Sequence, residues 1–241
     1  MIAISTFPYI RMSLQDALSK IEPLTPFVEV LSESNHNILL YGEVLSSFNL
    51  KYTIHAPITD MNFSSVHAPL RRAALSVLED VIKCGVEAGA EVFVVHPGYV
   101  GWAADLELAK INMKESLGKM PELAEEYGVT ITIENQPNHD YLLFKTPDAL
   151  SELDGLGFTL DVGHANTVGV LYEFLKCDIT HLHVHDNNGE SDEHLAIGEG
   201  NIDFEKVVKA TSNDGITKTL ELRNEEDINA SFNRLKDLYG E

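Results

Sequence analysis

The feature that most restricts this chain is an eightfold alternation of two patterns. Short apolar, β-branched runs occupy residues 2–5, 27–31, 52–55, 92–96, 129–135, 158–161, 179–185 and 219–223. Each is followed by a stretch with helical spacing of its apolar residues, at 13–24, 38–48, 70–88, 104–127, 147–153, 167–175, 204–211 and 226–238. Strand-then-helix units of this length build a parallel sheet covered by helices. Eight such units in 241 residues match the size of a closed (β/α)8 barrel. An open doubly wound sheet would call for a Gly-rich phosphate loop after the first strand. Ser5-Thr6-Phe7-Pro8-Tyr9 is not one. No Ser/Pro/Gly-rich linker or low-complexity tract interrupts the series, so residues 1–241 read as a single domain.

Helix-boundary chemistry supports the divisions. Ser13 with Asp16 three residues on reads as an N-cap followed by an acid in the first turn. Thr146-Pro147-Asp148 puts a capping residue before a proline at the first helical position. Gly89 and Gly128 follow the two longest helical patterns, where left-handed C-terminal caps occur.

Potential metal ligands recur where the strands run out. The segments are Thr53-Ile54-His55, Val94-Val95-His96, Thr132-Ile133-Glu134, Thr159-Leu160-Asp161 with His164 just beyond, His183-Val184-His185-Asp186, Asp192-Glu193-His194, and Thr219-Leu220-Glu221. Alternate residues of a strand share a face. His181, His183 and His185 therefore lie on one side of their strand, as do Thr132 with Glu134, and Thr219 with Glu221 and Arg223. A polar inner face toward the C-terminal strand ends is where a barrel carries its active site. Neutral imidazoles with carboxylates suit borderline to hard divalent ions: zinc, manganese, iron, cobalt or magnesium. His181, deeper in its strand, reads as a hydrogen-bonded core residue. His36, His67 and His139 stand alone and read as satisfied by backbone or facing water.

Three further residues are candidates for the substrate pocket. Tyr99 and Trp102 lie in the loop after the fourth strand, where they could cover a bound ligand or serve core packing and loop anchoring. Arg223 could meet a phosphate or carboxylate, or pair with a neighbouring acid to orient it.

Charge and cysteines narrow the function classes. Seventeen Lys and Arg stand against 38 Asp and Glu, a formal net charge of −21. Phosphate backbones are bound by clustered basic side chains, so a generally basic nucleic-acid surface is excluded, while a local basic patch stays open. Cys84 and Cys177 form neither a zinc nor a redox spacing, and Cys84 reads as an inert thiol on a helix. The opening residues resemble a strand rather than a secretion signal, and no apolar run approaches a membrane span. The expectation is a cytoplasmic protein with no membrane contact.

These segments resemble the xylose isomerase-like TIM barrels, a superfamily that includes sugar isomerases and epimerases and the endonuclease IV group. The most specific match runs from His183-Val184-His185-Asp186 through Asp192-Glu193-His194 to Gly198-Glu199-Gly200 and Asp203. Leu160-Asp161-Val162-Gly163-His164, Ile133-Glu134-Asn135, Val95-His96-Pro97-Gly98 and Ile54-His55-Ala56-Pro57 match in the same order, over roughly Tyr52 to Arg223. The sugar enzymes' pattern implies one ion held by Glu134, Asp161, His183 and Glu221. The two glutamates would form the acid/base pair around an enediolate, with His164 on a substrate oxygen and His185 in the substrate pocket. The endonuclease IV pattern implies up to three ions, adding His55 and His96 around Glu134, and His164, Asp192 and His194. All nine positions carry matching residue types. The charge, and an opening loop that is not Gly-rich, weigh against DNA repair. Asn187-Asn188-Gly189 replaces the arginine that ketohexose epimerases place past the seventh-strand His. The resemblance implies a small carbohydrate substrate and a homodimer, with phosphodiester hydrolysis as the alternative.

Overall fold

A computed structural model describes residues 1–212 and 215–241 of the chain. Eight strands among these residues close into a parallel barrel in sequence order: β1 (Ile2–Ser5), β2 (Phe27–Leu31), β3 (Lys51–His55), β4 (Val92–Val95), β5 (Thr130–Glu134), β6 (Gly157–Asp161), β7 (His181–Val184) and β8 (Thr217–Leu220). Closure pairs β8 with β1, through Ala3 opposite Thr219, so no sheet edge is exposed. The fold is the TIM barrel expected.

The strands' outward residues meet the helices. Val28, Val30, Ile54, Phe93, Ile131, Ile133, Leu160, Leu182, Val184 and Leu220 are all buried in one apolar layer. The first helix, α1 (Leu14–Ile21), contributes Leu14, Ala17, Leu18 and Ile21, spaced so that one face meets that layer. Emptying such a position, as in Leu18→Ala, costs about 2–5 kcal/mol. Ser13 caps α1 as expected, its Oγ accepting from Asp16 N at 3.1 Å.

Helix boundaries depart from the sequence expectation where local chemistry breaks a run. Residues 38–48 form a four-residue α2 (Ile38–Tyr41) followed by a 3-10 segment at Gly42–Ser47. The long α3 (Ala68–Glu87) stands, and Gly89 just past it takes a left-handed φ of +80°. Residues 104–127 split into α4 (Leu106–Leu117) and α5 (Met120–Tyr127), because Pro121 has no N–H to continue α4 but suits a first turn. Gly128 ends α5 in the left-handed region at φ +65°. Residues 147–152 are 3-10. The stretch expected at 167–175 starts earlier, as α6 (Val162–Val168), and is followed by α7 (Leu171–Phe174). The Asp161 carboxylate caps α6, accepting from His164 N at 2.7 Å. The ring closes with α8 (Phe204–Thr211) and α9 (Ile228–Tyr239). Among the described residues, no helix is long and apolar enough to cross a membrane.

Candidate metal centre

The inward-facing ends of the strands bring the ligand candidates together. His55, Glu134 and Asp161 are the last residues of β3, β5 and β6, while His96 and Glu221 follow β4 and β8 directly. His183 lies within β7, and His164 in the first turn of α6. Asp192 and His194 return from the β7–α8 loop because Asp186 and Leu195 exchange two backbone hydrogen bonds, of 3.1 and 2.8 Å. Asp186 itself is fully buried. Its carboxylate accepts from the backbone N–H groups of Asn187, Gly198, Gly200 and Ile202, and so shapes this loop. A side chain at Gly200 would collide with that carboxylate, and one at Gly163 with the His185 ring, which explains both glycines.

Glu134 is the hub. Its Oε2 lies 3.1 Å from His55 Nε2 and 2.9 Å from His96 Nε2. Its Oε1 lies 3.2 Å from His164 Nδ1 and 3.3 Å from His183 Nδ1. The same His183 nitrogen is 3.4 Å from Glu221 Oε2 and 3.8 Å from Asp161 Oδ2. On the far side, Asp192 Oδ2 lies 3.3 Å from His164 Nε2 and 3.1 Å from His194 Nε2. Within each of the sets His55/His96/Glu134, Glu134/Asp161/His164, Asp161/His183/Glu221 and His164/His185/Asp192/His194, the donor atoms lie within 4.8 Å of one another.

The other ring nitrogens are held from behind. His55 Nδ1 donates to Ala56 O at 2.8 Å, His164 Nδ1 to Asn135 O at 2.8 Å, and His194 Nδ1 to Glu221 O at 3.0 Å. A carbonyl can only accept, so in each ring Nδ1 carries the hydrogen and Nε2 is left toward the carboxylates. Asn135 also locks β5 to β6, accepting from Asp161 N at 2.8 Å and donating to Asp161 O at 3.0 Å. His194 holds a left-handed φ of +51°, a conformation that costs a residue with a side chain about 1–3 kcal/mol and collects at functional sites.

Electrostatics show what this set lacks. Burial alone would raise the Glu134 carboxyl, but the imidazoles of His183 and His96 hold it well below the usual carboxylate range. Burial likewise opposes charge on His183, yet Glu29, Glu134 and Glu221 raise it well above an ordinary histidine. His164 is raised in the same way by Asp161 and Asp192 against its burial. His194 is pushed up to about 9, Asp192 overcoming desolvation. His96 is lowered, because there burial outweighs Glu134. Among the described residues the ion pairs of Glu134, Asp161, Asp192 and Glu221 are all with histidine. Asp161 Oδ2 and Asp192 Oδ1 are buried without a hydrogen-bond partner. A dense set of acceptors, held together here by imidazole protons, is chemically suited to divalent cations.

The remaining candidates are placed differently. His185 is fully buried, its Nε2 3.1 Å from Asp161 Oδ1 and 3.5 Å from Asp192 Oδ1, so it joins the ligand-type set rather than an open pocket wall. Arg223 is exposed, because β8 ends at Leu220 and the strand alternation does not carry beyond Glu221. Its Nη2 donates to the backbone carbonyl of Asp192 at 3.2 Å, bracing that loop. Tyr99 and Trp102 are 39% and 72% exposed. They line a cavity of about 870 Å³ formed with the loops after β2 and β3, and none of the nine ligand candidates lines it. Sequence reasoning missed Glu29, a fully buried carboxylate in the middle of β2 whose Oε2 is 2.7 Å from His181 Nε2. An acid at inward parity inside an apolar strand was the available signal.

The whole-chain comparisons agree with this architecture. The model of a family described as "Xylose isomerase-like TIM barrel" matches residues 21–238. The chain is 38% identical over 234 residues to "Uncharacterized protein MJ1614" of Methanocaldococcus jannaschii, covering 94% of this chain and 93% of that protein. It is 27% identical over 207 residues to a "Probable endonuclease 4" of Mycobacterium leprae, covering 78% and 80%. The crystal structure of a D-tagatose 3-epimerase-like protein superposes with a TM-score of 0.88 at 34% identity, covering 99% of this chain and 97% of that one. The chain belongs to the xylose isomerase-like TIM barrel family.

Proposed function

We propose that this protein is a metal-dependent isomerase or epimerase acting on a small sugar, sugar phosphate or polyol. The observation that carries this reading is the convergence of Glu134, Asp161 and Glu221 on one nitrogen, His183 Nδ1. Those four residues would hold the ion; its likeness to a D-tagatose 3-epimerase-like protein supports the substrate class. A divalent cation held there would polarise a carbonyl and the hydroxyl on the adjacent carbon, acidifying the C–H of that hydroxyl-bearing carbon. Glu134 and Glu221 are the acid/base pair: one carboxylate takes the proton and the other delivers a proton to the neighbouring carbon or opposite face. Ser5 Oγ donates to Glu221 Oε1 at 3.3 Å, which steadies this carboxylate from the side of β1. His164, with Nδ1 committed to Asn135, offers Nε2 to a substrate oxygen. Incubation of the zinc- or manganese-loaded protein with ketoses in deuterated water tests this directly. Deuterium entering the carbon next to the carbonyl is expected; its absence over a panel of ketoses and their phosphates contradicts the reading.

A second reading has its own observation. His55 and His96 flank Glu134 on one side, and His164, Asp192 and His194 form a further set on the other, so up to three ions have ligands. That distribution suits phosphodiester hydrolysis, and a probable endonuclease 4 is among the relatives. The net charge of −21 opposes a grip on duplex DNA, so small phosphodiesters are the better substrates to try. Two or three tightly held ions together with cleavage of bis(4-nitrophenyl) phosphate would favour this reading; a single ion without cleavage would remove it.

A further inference from the structure

Beneath His183, three strands place a second polar cluster that the proposed chemistry does not use. Glu29 reaches from β2 across the barrel interior, with Oε1 2.8 Å from His183 Nε2 and Oε2 2.7 Å from His181 Nε2. Thr219 Oγ1 of β8 donates to the same Oε2 at 3.0 Å. All four residues are fully buried. Fold stability does not explain such a carboxylate, because buried ion pairs are commonly replaced by apolar residues at no loss of stability.

The ligand-type histidines differ in what stands behind them. His55, His164 and His194 rest a ring nitrogen on a neutral backbone carbonyl, whereas His183 has a carboxylate in that place. A carboxylate behind an imidazole fixes its tautomer, turns the opposite nitrogen toward the ion and makes it a stronger donor. His181 and Thr219 both engage Oε2, which leaves Oε1 to face His183 Nε2 at 2.8 Å, a charge contact that is not aligned as a hydrogen bond in this structure.

We infer that Glu29 is a positioning residue for the ion site shared by Glu134, Asp161, His183 and Glu221, acting through the His183 ring and selectively on that site. This rests on the metal reading above. Substrate turnover is not needed to test it. Zinc affinity is measured by competition with a chromophoric chelator for the native protein, Glu29→Gln and Glu29→Asp. The expected result is a loss of about 10- to 100-fold in affinity for one ion in Glu29→Gln. Any flanking ions would keep their affinity, while the metal-free variant would melt lower than the native protein, because removing one partner of a buried ion pair strands the other, so affinities are compared on folded protein. Native-like zinc affinity in a folded Glu29→Gln overturns the proposal while leaving the metal reading intact. No zinc uptake by the native protein overturns both. Should the variants fail to fold, long-range proton–nitrogen NMR of the zinc-loaded native protein decides. A metal-bound Nδ1 and a protonated Nε2 on His183 are expected, and the opposite tautomer refutes the inference.

Discussion

His36 and His164 are both buried imidazoles, yet their surroundings push their protonation in opposite directions. His36 has no carboxylate paired with it among the described residues, and desolvation drives it down to about 4. His164 is as hard to hydrate, but Asp161 and Asp192 raise it well above the ordinary value. Burial by itself neutralises a histidine; burial among carboxylates keeps it charged or prepares it for a cation. The barrel mouth is a site of the second type; His36 is of the first, both its ring nitrogens buried without a hydrogen-bond partner rather than satisfied as its isolated position in the sequence implied.

The sharpest way to break this contrast is to remove the hub. Glu134→Gln keeps the size of the side chain but takes away the charge that four imidazoles share. Turnover is expected to fall by about 100- to 10,000-fold with loss of tightly held ion, measured by kcat/KM and elemental analysis. His36→Leu is expected to leave the ion content unchanged. If Glu134→Gln and His36→Leu behaved alike, the two environments would not differ in function.

Stability as a function of pH separates the two regions next. His194 is raised from 6.5 to about 9, so in metal-free protein its contribution is full below pH 6.5 and is lost as pH rises through about 9. His36 is depressed from 6.5 to about 4, so its contribution is full above pH 6.5 and is lost as pH falls toward 4. Each amounts to about 1–3 kcal/mol. Chemical denaturation of metal-free protein across this range, repeated on His36→Leu, should show the acid-side loss shrink and the alkaline-side loss persist. Metal loading at neutral pH should release protons, since bound histidines must give theirs up, and this is checked in weakly buffered solution by a pH indicator.

Asn135→Ala is expected to cost about 1–3 kcal/mol by leaving the buried Asp161 backbone groups without their partner, as read from denaturation midpoints. The smallest effect belongs to Arg223→Gln. The side chain is exposed and braces a loop through one backbone carbonyl, so stability should change by about 0.5 kcal/mol or less with ion content unaltered.

Much of this was legible in the chain because barrels translate sequence into space simply. A ligand at the end of an apolar strand lands at the mouth whichever strand carries it, so His55, His96, Glu134, Asp161, His183 and Glu221 converge without any knowledge of their loops. Asp192 and His194 read in the sequence as a strand-end segment like the others, but they lie in the β7–α8 loop and reach the mouth through the Asp186–Leu195 bridge, which no local pattern announces. Arg223 fell outside because strand alternation has meaning only while the strand lasts. Tyr99 and Trp102 belong to a loop whose direction is set by tertiary contacts, such as the side-chain Oδ1 of Asn62 accepting from Tyr99 N at 3.1 Å. Glu29 was hidden because its partners come from β7 and β8, far along the chain.

The most direct measurement is the number of divalent ions retained per chain after loading with zinc or manganese and exhaustive removal of excess. At least one tightly held ion, lost in Glu134→Gln, is the expected result, with a single ion favouring sugar isomerisation and two or three favouring hydrolysis. A folded native protein that retains none would contradict the assignment of the barrel mouth as a metal centre.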